Sequence, residues 1–219
     1  MELRKLVRDL YGVDQPQGCT EEEISSIKEI FGALPAVVED FWRTFGRTRR
    51  LNYTQDDWIF PEQYSKQKWL AEYGNLLLLN ENQSVCLAYV RREDLTLPDP
   101  PVYLGTEPDG PWKLAAPTVS EFLEAALTYE AVWQLEHSPD EFYELSAKDM
   151  EVVRSKLEKR PAVLRNWFVT ETTFYSSRPD NLVVVMDMGD GDYQALYGGA
   201  TQESYAALLE VMEGLGEPI

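Results

Sequence analysis

Residues 32–46 read GALPAVVEDFWRTFG. Gly32 and Gly46 bound the stretch. Pro35 stands where the first turn of a helix has no need of its N–H. Behind it, Val37, Val38, Phe41, Trp42 and Phe45 recur at helical spacing and make one broad, heavily aromatic face. The spacing predicts a helix buried along that face, with Gly46 as its left-handed C-terminal residue.

On the N-terminal side, residues 20–32 read TEEEISSIKEIFG. Thr20 and Glu23 make a capping box, Ile24, Ile27 and Phe31 line one face, and Gly32 ends the helix. Earlier still, 2–11 carries Leu3, Leu6, Val7 and Leu10 at helical spacing, and Gly12 stops it.

After Gly46 come Arg47, Arg49 and Arg50, then the acidic DDWIF of 56–60. Beyond Gly74 the pattern changes from helix to strand. NLLLL and SVCLAYV are short apolar runs about the polar NENQ, a predicted hairpin. PPVYLG and PWKLAA are two further strands, with Asp109-Gly110 at the turn between them. Thr118 and Glu121 open a helix bearing Phe122, Leu123, Ala126 and Leu127.

HSPDE, 137–141, reads as a boundary, so the chain divides into 1–137 and 138–219. In the second part Ser146 caps a helix that Pro161 terminates. NWFVTETTF and NLVVVMDM are strands, GDGD is a hairpin turn into YQALYGG, and Thr201 caps a last helix. The predicted fold is α+β: a mixed, mostly antiparallel sheet with helices packed on it. A C-terminal helix–strands–helix extension joins the same core.

Composition restricts function. The 219 residues carry 38 acids against 20 Lys and Arg, a net charge of −18. Residues 114–147 hold seven acids and 179–219 hold eight, with no Lys or Arg in either. Such a field repels nucleic acid and anionic lipid and speeds encounter with a basic partner. No apolar run is long enough for a membrane span, and no secretory signal follows the start, so a cytoplasmic protein is expected. The two cysteines, Cys19 and Cys86, make no disulfide framework and have no metal-site spacing.

Chemistry-bearing motifs are sparse. The one histidine, His137, cannot make a metal cluster, and no serine or cysteine nearby forms an obvious nucleophile pair with it. Asp187, Asp190 and Asp192 in DMGDGD lack the acid order and closing Glu of an EF-hand, and the Asp-Gly reads as a hairpin turn. Gly198-Gly199 forms no phosphate-binding fingerprint. No catalytic residue, cofactor or metal ligand is assigned, and the chain reads as a non-enzyme. Acids beside aromatics at two loop edges suit a protein interface: Asp56, Asp57 and Trp58, and Glu107, Asp109 and Trp112. Trp42 and Trp133 sit on helix stripes and read as core.

The order of elements resembles the SUKH superfamily, which groups bacterial immunity proteins of polymorphic toxin systems with Smi/Knr-like cell-wall regulators of yeast. The resemblance rests on TEEEISSIKEIFG, then Leu34-Pro35, then VVEDFWRTFG, a strand hairpin, DPPVYL and the helix TVSEFLEAAL, over about residues 20–133. The family often has Asn before the glycine at which this chain has Phe45-Gly46. The resemblance implies a non-catalytic immunity protein that binds and neutralises a cognate toxin, a basic one such as a nuclease domain. The alternative it implies is a regulatory scaffold binding host signalling proteins. It also implies that Phe41, Trp42 and Phe45 are scaffold residues.

Overall fold

The computed structural model describes residues 3–52 and 54–219; Glu2, assigned by its spacing to the first helix, lies outside the described residues. The chain is α+β. In order it forms α1 (Leu3–Tyr11), α2 (Glu21–Phe31), α3 (Ala36–Phe45), β1 (Asp57–Trp58), α4 (Pro61–Lys66), α5 (Lys68–Glu72), β2 (Leu76–Asn80), β3 (Leu87–Val90), β4 (Val102–Gly105), β5 (Lys113–Ala116) and α6 (Val119–Ala131). There follow β6 (Tyr143–Ser146), α7 (Ala147–Lys156), β7 (Glu158–Arg165), β8 (Glu171–Ser176), β9 (Asn181–Gly189), β10 (Asp192–Gly199), α8 (Gln202–Met212) and β11 (Glu217–Pro218). No helix among the described residues is long and apolar enough to cross a membrane.

Two compact units divide the chain. One is Gln15–Leu123; the other joins the N-terminal segment through Asp14 to Glu124–Ile219. The division expected at 137/138 therefore falls inside the second unit, and two sets of bonds explain why. The Tyr11 hydroxyl donates to the Leu127 carbonyl at 2.6 Å, tying α1 to the later turns of α6. His137 exchanges backbone N–H···O bonds of 3.2 and 2.8 Å with Gly199, at the end of β10.

In the first unit β1 to β5 pair antiparallel in chain order, a meander. The capping box of Thr20 and Glu23 forms at the head of α2, and Gly32 closes that helix at φ +83°. The aromatic face of α3 meets the sheet through Phe41, whose ring centre lies 5.4 Å from Trp58 of β1 and 5.8 Å from Phe60. Tyr64 of α4 closes the cluster against Phe31 and Trp42 at 5.7 and 6.5 Å. Such pairs add about 0.5–1.5 kcal/mol each beyond area burial.

Gly46 departs from expectation. Its φ of −62° and ψ of −10° are right-handed, so it is no left-handed cap. Glycine is needed there for proximity: a Cβ would stand 2.4 Å from Cys19 Sγ and 2.8 Å from the Trp42 carbonyl oxygen. The 17–19 loop lies across the end of α3, with the Cys19 N–H on the Trp42 carbonyl at 2.9 Å and the Arg47 N–H on the Gln17 carbonyl at 2.9 Å.

The second unit has a sheet of its own, in the order β11-β6-β10-β9-β8-β7, all antiparallel. The strands after residue 137 thus build a separate sheet and do not extend the first. One cluster is made by Leu145, Met150, Val153, Val183, Ala195 and Leu208, where α7 and α8 cover one face. Two local expectations fail here. Helix α7 ends at Lys156, and Pro161 lies inside β7. Pairing of β7 with β8 breaks between Lys159 and Val163, and a proline without an N–H is tolerated at that bulge. The strand expected over NWFVTETTF begins only at Glu171: Asn166, at φ +58°, opens a turn whose N–H bonds the Thr170 carbonyl at 3.2 Å. The GDGD hairpin forms as read, with Gly189, Asp190 and Gly191 all at positive φ.

Candidate functional site

Antiparallel register decides which side chains share a face of the first sheet. Leu77 pairs Tyr89, Tyr89 pairs Tyr103, and Tyr103 pairs Leu114, so these four form one cross-strand row. Over β3 the row is roofed: Tyr73, just after α5, meets Tyr89 edge-on at 5.7 Å. Both hydroxyls there are buried, and burial pushes both phenols above their ordinary pKa, Tyr89 to about 12. Toward the β5 edge the row opens. Tyr89 is fully buried, Tyr103 half-buried and Leu114 47% exposed.

The turn from β4 to β5 brings Trp112 beside that open end. Gly110, at φ +97°, turns the chain through a cis Gly110–Pro111 bond. The Trp112 ring centre lies 6.3 Å from that of Tyr103, and the indole is 40% exposed. Arg91 stacks on both rings, its guanidinium carbon 4.4 Å from the Tyr103 centre and 5.1 Å from that of Trp112. Ion pairs to Glu93 and Asp94, each at 3.1 Å, hold the arginine in place. Glu107 and Asp109 are exposed on the same turn. Apolar rings, a stacked cation and loop carboxylates together offer adhesion to a protein surface.

Of the six site residues expected from sequence, Glu107, Asp109 and Trp112 gather here, and the other three do not. β1 and β5 are opposite edges of a five-stranded sheet, about 19 Å apart at ~4.8 Å per strand. Asp57 is exposed on β1, but Trp58 is 2% exposed, packed on Phe41 and Phe60. Asp56 is buried as well: its Oδ1 accepts from the Asn82 N–H at 3.1 Å and so holds the β2–β3 turn. Acid beside aromatic marked a turn support and a core ring at one place and a surface at the other.

Sequence reasoning missed Arg91, Tyr103 and Leu114. The alternation in PVYLG contained a signal: with Val102 and Leu104 facing inward, Tyr103 must face the opposite side. Arg91 and Leu114 carried none, because only strand pairing sets them beside that tyrosine. Set against family models, curated proteins and solved structures, the chain finds no match.

Proposed function

We propose that this chain is a non-catalytic immunity protein that binds and neutralises a cognate toxin in the cytoplasm, with the Tyr103–Trp112–Leu114 patch as its contact surface. The observation that carries the reading is that patch: exposed aromatic and aliphatic groups on a rigid sheet, with Glu107 and Asp109 beside them. The resemblance to SUKH proteins supports the class of partner. The net charge of −18 supports a basic one, such as a nuclease domain. Neutralisation is steric: the complex covers the toxin's working surface, and no bond is made or broken. Neither nucleic acid nor membrane is bound directly.

The test is co-expression with the product of the neighbouring gene, followed by pull-down and a toxicity assay of the captured protein. Wild-type chain should capture the neighbour and restore growth, and Trp112→Ala should release it. Capture of host signalling proteins with no effect on toxicity would replace this reading with the regulatory scaffold.

A further inference from the structure

Around Trp112 one chemical pattern is filled from within the chain and then set out again unfilled. The filled one belongs to Arg91. Its guanidinium carbon lies 4.4 Å from the Tyr103 ring centre and 5.1 Å from that of Trp112, and carboxylates of Glu93 and Asp94 hold its nitrogens at 3.1 Å. A planar cation, aromatic rings and two carboxylates complete it.

The unfilled set starts from the part of Trp112 that these neighbours leave bare. The indole is still 40% exposed, and Glu107 and Asp109 stand exposed on the turn that leads into it. Among the described residues neither carboxylate has a cation within ion-pair distance. The turn itself is tied down. The buried Asn75 amide donates to the Pro108 carbonyl at 3.1 Å, and the Gly110 N–H to the Glu107 carbonyl at 3.3 Å.

Placement and charge favour a cation there. Glu107 is close enough to Tyr73, the roof of the same cross-strand row, to add to burial in raising its phenol. Lys113 pairs Leu104 where Leu114 pairs Tyr103, so Lys113 belongs to the opposite face of the sheet. Arg91 and Arg92 are balanced by Glu93 and Asp94, which leaves the two negative charges of Glu107 and Asp109 over. A guanidinium suits the set better than an ammonium. It is planar, more weakly hydrated, stacks on an indole and meets carboxylates with paired N–H groups. Arg91 already makes that fit to the same ring.

We propose that an arginine side chain of the toxin seats on Trp112, its guanidinium stacked on the bare part of the indole and its N–H groups on Glu107 and Asp109. The occupant rests on the toxin-binding reading; the affinity of the site for a guanidinium does not.

Nα-acetylarginine methylamide is the probe, titrated into the full isotope-labelled chain while the indole N–H signal of Trp112 is followed by NMR. Trp112→Phe identifies that signal. Nα-acetylcitrulline methylamide, similar in shape but uncharged, and Nα-acetyllysine methylamide are titrated beside it. The arginine probe should shift the signal saturably, the lysine probe more weakly and the citrulline probe not at all. Glu107→Gln combined with Asp109→Asn, both at exposed positions, should keep the melting temperature within about 2 °C. The pair should weaken the arginine probe about tenfold. No saturable shift, an equal shift with citrulline, tighter lysine or unchanged affinity in the double variant each overturns the site. In pull-down with the neighbouring gene product, release by Trp112→Ala but not by the double variant overturns the arginine seat and leaves the toxin-binding reading standing. Release by neither variant, with the arginine probe still bound, overturns the patch as the toxin's contact surface and with it the proposed occupant.

Discussion

Arg91 lies over the ring of Tyr103, its guanidinium carbon 4.4 Å from the ring centre, while ion pairs to Glu93 and Asp94 hold it there. A cation desolvated against an aromatic face contributes about 0.5–2 kcal/mol. The pair fixes the orientation of Tyr103 and gives Trp112 a surface to lie against.

If this patch is the interface, Trp112→Ala should act on dissociation. A central aromatic anchor is worth about 2 kcal/mol or more, so the dissociation rate should rise roughly thirtyfold with little change in association. Half exposed as it is, Trp112 should cost the free protein little stability. Surface plasmon resonance with the captured partner measures both rates, and an unchanged dissociation rate would move the interface off this sheet.

Charge reversal separates the two acidic edges. Glu107→Lys and Asp109→Lys should slow association, increasingly so as salt is lowered. Asp57→Lys, about two screening lengths away at physiological salt, should slow it far less. Asp56→Lys should instead destabilise the fold, because its carboxylate holds the Asn82 N–H. Stopped-flow association at several salt concentrations, beside denaturation of each variant, tests all four. Equal slowing by Asp57→Lys and Asp109→Lys would show that only net charge matters.

The aromatic cluster of the first unit should be structural. Trp42→Ala and Trp58→Ala, at positions 1% and 2% exposed, should each cost about 3–5 kcal/mol of stability. Gly46→Ala should also destabilise, although the backbone there is ordinary helix, because its methyl meets Cys19 Sγ and the Trp42 carbonyl. Urea denaturation gives the values. Wild-type stability for Gly46→Ala would show that the 17–19 loop yields easily.

Stability should fall at alkaline pH. Burial first, then nearby carboxylates such as Glu23 and Glu81, raise the thiols of Cys19 and Cys86 from 9.0 to about 11. Burial raises Tyr89 from 10.0 to about 12. In each case the fold favours the protonated form, so the unfolded chain releases its protons first. The stabilisation is complete below about pH 9 and is lost as pH rises through 11 to 12. Urea midpoints at pH 8, 9, 10 and 11 should decline over the last two steps, and both thiols should resist alkylation at pH 8. A midpoint that does not move up to pH 11 contradicts the assignment.

What the sequence determined by itself was local. The capping box at Thr20 and the helix caps at Ser146 and Thr201 depend on residues three apart, and each forms as read. The stripe of α3 and the GDGD turn likewise follow from short-range spacing and from glycine's freedom at positive φ. Of the site, the acidic turn with Glu107, Asp109 and Trp112 was legible, because a turn residue's exposure follows from its neighbours. Only tertiary structure decided the rest. Whether Trp58 faced core or solvent depended on Phe41, which lies on another element, and Asp56 on the Asn82 N–H across a strand pair. The need for glycine at 46 came from a loop that begins 29 residues earlier, and the patch around Tyr103 came from strand register. Residue order carries short-range geometry directly. Long-range pairing is chosen by burial and hydrogen bonding summed over the whole chain, and no local pattern records that sum.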